Sequence, residues 1–189
     1  MQRLTLSLCL LLLVALVAAP AFGQDLNGAN VTVNYLYPEI NDIYEVLGTG
    51  TVTSSGFTVN SFGQNNFTVF PTDLTLVNVF GENVTFTAAD FNGYGLVVNS
   101  GGAPITGVTL IVNNIPGFNA SDVTFDGHDV WINLEGLVDP YIDGTNGPPD
   151  LEIGLEFGGS GTVPEPSSLL LLGSGALGLL SFARRKMRG

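Results

Sequence analysis

Oxygen-bearing side chains are concentrated near the end of the central part of the chain. Asp139, Asp143, Asn146 and Asp150 lie within twelve residues, interspersed with glycine and proline. Ca²⁺ takes about six to eight oxygen ligands and tolerates irregular geometry, although this spacing is not that of an EF-hand loop. The four residues are therefore either a calcium site or turn-forming residues on a solvated acidic surface. No other cofactor is expected.

The only histidine, His128, lies between Asp126 and Asp129. Ser/His/Asp catalysis would need a positioned serine, which the sequence does not mark. A glycosidase would need two carboxylates at a defined separation, which a sequence does not reveal. The simpler interpretation is an exposed turn between two strands, and we expect the protein not to be an enzyme.

The charge distribution separates the ends of the chain from its middle. Sixteen of the 17 acidic residues lie between residues 24 and 163, a region without Lys or Arg. The five basic residues lie outside it, as Arg3, Arg184, Arg185, Lys186 and Arg188. Because nucleic-acid binding depends on Lys and Arg contacts with phosphates, nucleic acid is excluded as a partner of this region.

The N-terminus has the pattern of a secretory signal peptide. Arg3 precedes an apolar run over residues 4–17, and residues 19–23 end in small side chains. This pattern predicts a signal peptide over residues 1–23, which signal peptidase removes before Gln24. A retained membrane helix is the weaker alternative, since a bilayer needs about 20 apolar residues.

The C-terminus combines three features in a fixed order. Pro164, Glu165 and Pro166 come first, and an apolar stretch predicts a transmembrane helix at about residues 168–183. The basic cluster Arg184, Arg185, Lys186 and Arg188 ends the chain. By the positive-inside rule this cluster stays cytoplasmic, so the acidic region lies outside. The two prolines keep the segment just outside the membrane extended, where a processing enzyme can reach it.

This order resembles the PEP-CTERM sorting signal of exported bacterial proteins, over residues 164–189. The resemblance implies that exosortase, a membrane-embedded cysteine transpeptidase, recognises Pro164, Glu165 and Pro166 and removes the tail. It also implies a bacterium that makes exopolysaccharide. The alternative is a simple tail anchor with an incidental Pro-Glu-Pro.

Between the ends, apolar residues alternate with Thr or Asn, and turn residues separate the runs. This period of two predicts an all-β, antiparallel, jelly-roll-like β-sandwich over residues 24–157, followed by a flexible spacer over 158–163. We expect Trp131 in the core and allow a helical turn at Ile40–Leu47 or Ala88–Phe91. The predicted strands cover residues 31–37, 49–53, 57–59, 67–70, 74–80, 84–86, 96–98, 108–112, 123–125, 130–133 and 151–157.

Short pieces of this region also resemble uncharacterised PEP-CTERM passenger domains, which implies a β-sandwich of no known activity. The pieces are residues 31–38, 91–94, 105–110, 123–125 and 130–137. The sequence as a whole predicts an exported protein, first an inner-membrane-anchored precursor and then a component of the cell surface or extracellular matrix. Its domain is expected to be structural or adhesive, with extracellular polysaccharide as a partner. The alternative is a carbohydrate- or calcium-binding module.

Overall fold

A computed structural model of the chain describes residues 25–142 and 148–158. The predicted signal peptide, most of the predicted spacer and the whole predicted sorting tail lie outside these ranges. No helix within the two ranges is long and apolar enough to cross a membrane.

The described residues form twelve β-strands and one 3₁₀ turn, Ala120–Asp122. Every strand pairing among them is antiparallel, which confirms the predicted all-β class. In chain order the strands are β1 (Asn30–Leu36), β2 (Ile43–Thr51), β3 (Phe57–Ser61), β4 (Asn65–Val69), β5 (Asp73–Asn78), β6 (Val84–Thr85), β7 (Gly93–Ser100), β8 (Ile105–Asn113), β9 (Val123–Phe125), β10 (Asp129–Asn133), β11 (Val138–Asp139) and β12 (Leu151–Phe157).

The strands form three sheets. The first sheet has the order β2-β1-β7-β10-β9, and the second has the order β3-β4-β5-β12-β8. A small sheet consists of β6 and β11 alone. The last strand, β12, pairs with both β5 and β8, so the end of the described chain is held inside the second sheet.

The two large sheets share one hydrophobic core. In β5, Leu74 and Leu76 are buried while Thr75 between them is half-buried, as the period of two requires. Phe67 of the second sheet stacks on Tyr94 of the first sheet, with ring centroids 5.1 Å apart. Burial of each large apolar side chain contributes about 1.5–3 kcal/mol, and the described residues contain no cysteine that could add a disulfide.

Three details differ from the sequence predictions: the start of β2, the position of Trp131, and strand β11, which was not among the predicted strands. Strand β2 begins at Ile43, so the helical turn allowed at Ile40–Leu47 is wrong; pairing with β1 satisfies the backbone there instead. Trp131 is only half-buried, because Val130 and Ile132 take the inward positions of β10 and leave it on the outer face. The two residues of β11 are too few to show an alternating pattern.

Candidate functional site

Five polar side chains are buried at the end of the second sheet where β3 turns into β4. Each is 4% exposed or less, although a buried position in a sheet is ordinarily apolar. We call these residues the buried polar cluster: Ser61, Asn65, Asn78, Asp139 and Asp150.

Strand register places three members of the cluster side by side. Ser61 pairs with Asn65 between β3 and β4, and Asn65 pairs with Asn78 between β4 and β5. Because side chains alternate along a strand, Asn65 lies on the same inward face as Phe67, and Asn78 on that of Leu76. The amides therefore continue rows that are otherwise hydrophobic.

Asp139 reaches the cluster from the small sheet. Its backbone pairs with Val84 of β6, and the side chain is fully buried. Asn65 Nδ2 donates a hydrogen bond of 2.6 Å to Asp139 Oδ2. Asp139 Oδ1 and Asn65 Oδ1 are both buried and have no hydrogen-bond partner. Two oxygens with free lone pairs therefore flank this hydrogen bond.

Asp150 enters the cluster just before β12. Its Oδ2 accepts a hydrogen bond of 2.6 Å from the backbone N–H of Asn78. The Asn78 side chain donates in turn to the backbone oxygen of Asp139, at 3.2 Å, and to that of Glu82, at 2.9 Å. Asn78 thus ties both aspartates to the end of β5.

The electrostatics of the cluster are dominated by burial without a cation. Burial raises the pKa of Asp139 to about 7, and repulsion by Asp150 adds to the rise, while the Asn65 hydrogen bond opposes it. Burial also raises the pKa of Asp150, against hydrogen bonds from the backbone of Asn78 and its own. Burial raises the pKa of the nearby Tyr94 hydroxyl, and the charge of Asp139 contributes. Burying an ionised carboxylate here costs free energy unless a cation binds it.

The structure describes two of the four residues that the sequence predicts as calcium ligands. It describes Asp139 and Asp150 and brings both against Asn78. Asp143 and Asn146 lie outside the described residues. Within those residues, no three His, Cys, Asp or Glu side chains form a group suited to a metal ion. The amides of Asn65 and Asn78 reach the two aspartates, and the sequence did not predict them; the available signal was asparagine at inward positions of alternating strands.

His128 lies where the sequence predicted, in the exposed turn between β9 and β10. Asp126 Oδ1 accepts the backbone N–H groups of His128 and Asp129, both at 2.8 Å. These hydrogen bonds lower the pKa of Asp126. The carboxylate of Asp126 therefore stabilises the backbone of this turn.

A separate feature, at the surface, is a group of aromatic rings on or beside β1, β2 and the β3–β4 turn. We call it the aromatic surface cluster: Tyr35, Tyr37, Tyr44 and Phe62. The rings meet edge to face, with Tyr35 and Phe62 at 5.2 Å and Tyr44 and Phe62 at 6.1 Å between centroids. Tyr44 is 65% exposed and Phe62 48%. Phe62 has a φ of 54°, the left-handed region that non-glycine residues rarely adopt.

The tail beyond the β-domain is similar to a known family of sorting motifs. The family model of the PEP-CTERM protein-sorting motif matches residues 162–186. The chain carries a PEP-CTERM sorting motif. The matched segment includes Pro164, Glu165 and Pro166, as well as the first three residues of the basic cluster. The PEP-CTERM motif implies export and membrane-associated sorting by exosortase.

The family match does not extend into the β-domain that precedes the PEP-CTERM motif. No curated protein and no solved structure shows significant similarity to the chain. The β-rich fold is nevertheless consistent with a passenger of a PEP-CTERM protein. The last described residue, Gly158, donates its N–H to Pro104 O at 2.9 Å, four residues before the matched segment begins.

Proposed function

We propose that this protein is a component of the bacterial cell surface or exopolysaccharide matrix, delivered there through its PEP-CTERM motif. Its passenger is a jelly-roll-like β-sandwich with a structural or adhesive role and no catalytic activity. The observation that carries the proposal is the match of the sorting-motif model to residues 162–186.

The proposed route has two processing steps. Signal peptidase removes residues 1–23 after export, and the precursor stays in the inner membrane through the apolar stretch at about 168–183. The basic cluster remains in the cytoplasm, which leaves the β-domain outside. Exosortase then recognises Pro164, Glu165 and Pro166 and separates the domain from the tail.

The composition of the domain supports a non-catalytic role. Residues 24–163 contain no Lys or Arg, the side chains that ordinarily clamp a phosphate or supply a permanent positive charge to a developing anion. The same composition gives a strongly negative surface, which keeps the domain well solvated. A hydrated polysaccharide matrix is an environment in which such a surface is tolerated.

Intact mass of the exported protein in its native host tests the route. We expect a chain that begins near Gln24 and lacks the residues beyond the Pro164-Glu165-Pro166 region. Replacing Pro164 and Pro166 with Ala should leave the tail attached, whereas Ser160→Ala, a change in the preceding spacer and outside the matched segment, should not. Tail retention in the wild-type surface protein would contradict sorting and leave a plain membrane anchor.

The aromatic surface cluster supports a second candidate, a carbohydrate-binding module. Exposed aromatic side chains present large, rigid, amphipathic surfaces that suit sugar rings. A glycan array probed with and without Ca²⁺ tests this function. Tyr44→Ala should abolish any signal, while Phe80→Ala, which removes a ring of similar exposure outside the cluster, should preserve it. An array without a signal favours the structural role.

A further inference from the structure

The buried polar cluster contains more negative charge than its surroundings can neutralise. Asp139 and Asp150 are 0% and 3% exposed, and residues 24–163 offer no Lys or Arg. Buried carboxylates in proteins are ordinarily paired with a cation or bound to a metal ion. The donors that reach the two aspartates are neutral: the Asn65 amide binds only Oδ2 of Asp139, and backbone N–H groups bind the carboxylate of Asp150.

The unpartnered oxygens indicate the kind of ligand that suits the cluster. Asp139 Oδ1 and Asn65 Oδ1 are fully buried acceptors without a donor. The hydrogen bond from Asn65 Nδ2 to Asp139 Oδ2 fixes the amide orientation, because turning the amide over would set two acceptors against each other. A hydrogen-bond donor could satisfy one such oxygen, whereas a cation can be bound by several lone pairs at once.

We propose that the buried polar cluster binds one divalent cation of the Ca²⁺ type, with Asp139, Asp150 and Asn65 as its protein ligands. All of these ligands are oxygens, the donors that Ca²⁺ and Mg²⁺ prefer over the nitrogen and sulfur ligands of transition metals. Ca²⁺ is favoured over Mg²⁺ because it accepts amide and carboxylate oxygens in irregular geometry. Water molecules complete the six to eight oxygens that the ion requires.

The ion would join parts of the fold that are distant in sequence. Asn65 belongs to β4, Asp139 to β11, and Asp150 precedes β12. A cation held by these three residues links the second sheet to the small sheet. The ion is therefore expected to stabilise the folded state, and this inference is independent of how the chain is sorted. Asp143 and Asn146 lie outside the described residues and are not part of the proposed site.

Differential scanning calorimetry of the full chain in detergent, stripped with EDTA, tests the site. Millimolar CaCl₂ should raise the Tm by about 5 °C or more beyond an ionic-strength-matched NaCl sample. MgCl₂ should raise it less. Asp139→Asn should remove the excess, because the variant keeps the shape of the side chain and the acceptor for Asn65 but loses the charge. Asp42→Asn removes one exposed carboxylate and should keep the excess.

Asp150→Asn is a second variant, which preserves an acceptor for the Asn78 N–H and decides alone if Asp139→Asn fails to fold. It should weaken Ca²⁺ binding at least tenfold. A wild-type protein that responds equally to Ca²⁺ and to matched NaCl overturns the proposal. An unchanged Ca²⁺ effect in both variants overturns it as well, and an equal or larger effect of Mg²⁺ overturns the assignment to Ca²⁺.

Discussion

Strands β4 and β5 contain two different interiors along the same inward faces. At one end, Phe67 and Leu76 pack into the hydrophobic core shared by the two large sheets. At the other end, two residues away on each strand, Asn65 and Asn78 donate hydrogen bonds to buried carboxylates. The apolar end is stable by burial alone, whereas the polar end has oxygens that no described donor satisfies. One continuous inward face therefore combines a hydrophobic core with a polar end, and only the polar end has the unpartnered oxygens that could bind a ligand.

The largest expected effect lies at the apolar end. Phe67 is 1% exposed and stacks on Tyr94, so Phe67→Ala should destabilise the fold by about 3–5 kcal/mol through lost burial and a residual cavity. Chemical denaturation measures the change. Phe80→Ala removes a ring that is 51% exposed and should cost less than about 1 kcal/mol. Equal losses at the two positions would show that the core is not where the structure places it.

The polar end should respond to pH when no divalent ion is present. Folding raises the pKa of Asp139 from 3.8 to about 7. Between these two values the carboxyl of Asp139 is protonated in the folded state and ionised in the unfolded chain. Stability therefore falls as pH rises from about 4 to 7, by a few kcal/mol in order of magnitude. Asp150 and Tyr94 are the titratable groups that interact with this carboxylate.

The general repulsion among the carboxylates acts in the same direction, so the comparison needs a variant. In EDTA, wild type should lose stability relative to Asp139→Asn over this pH range, as thermal denaturation at each pH would show. The variant should be at least as stable as wild type at pH 7. Parallel pH profiles for the two proteins would mean that burial of Asp139 has no energetic cost.

The smallest effect is expected at the exposed Asp126, which serves as a comparison for the buried Asp139. Backbone hydrogen bonds from His128 and Asp129 lower the pKa of Asp126. The stability they contribute is present above the ordinary pKa and is lost as pH falls, opposite in sign to the change at Asp139. Asp126→Asn should change the unfolding free energy by less than about 1 kcal/mol at pH 7, because the site is exposed. A larger loss of unfolding free energy would show that this exposed turn contributes more to stability than expected.

The sequence predicted the apolar end well because alternation is a local property. Leu74, Leu76 and Phe67 all lie in predicted runs, and the strands formed there. The polar end depends on register and on hydrogen bonds between distant residues, such as Asn65 and Asp139, which are 74 positions apart. Spacing in the sequence suggested Asp139 and Asp150 as ligands, but it could not show that the amides of β4 and β5 complete their surroundings. The sorting motif was recognisable because its features are contiguous.

Isothermal titration of Ca²⁺ into the EDTA-stripped full chain tests the account of the polar end most directly. Diffuse binding to the acidic surface gives weak heats in every variant. The account predicts one additional site in wild type and in Asp42→Asn, with a Kd of about 10⁻⁴ M or tighter, which is the affinity that the expected rise in Tm at millimolar Ca²⁺ requires. The site should be absent from the double variant Asp139→Asn, Asp150→Asn. Identical isotherms for wild type and the double variant would contradict it.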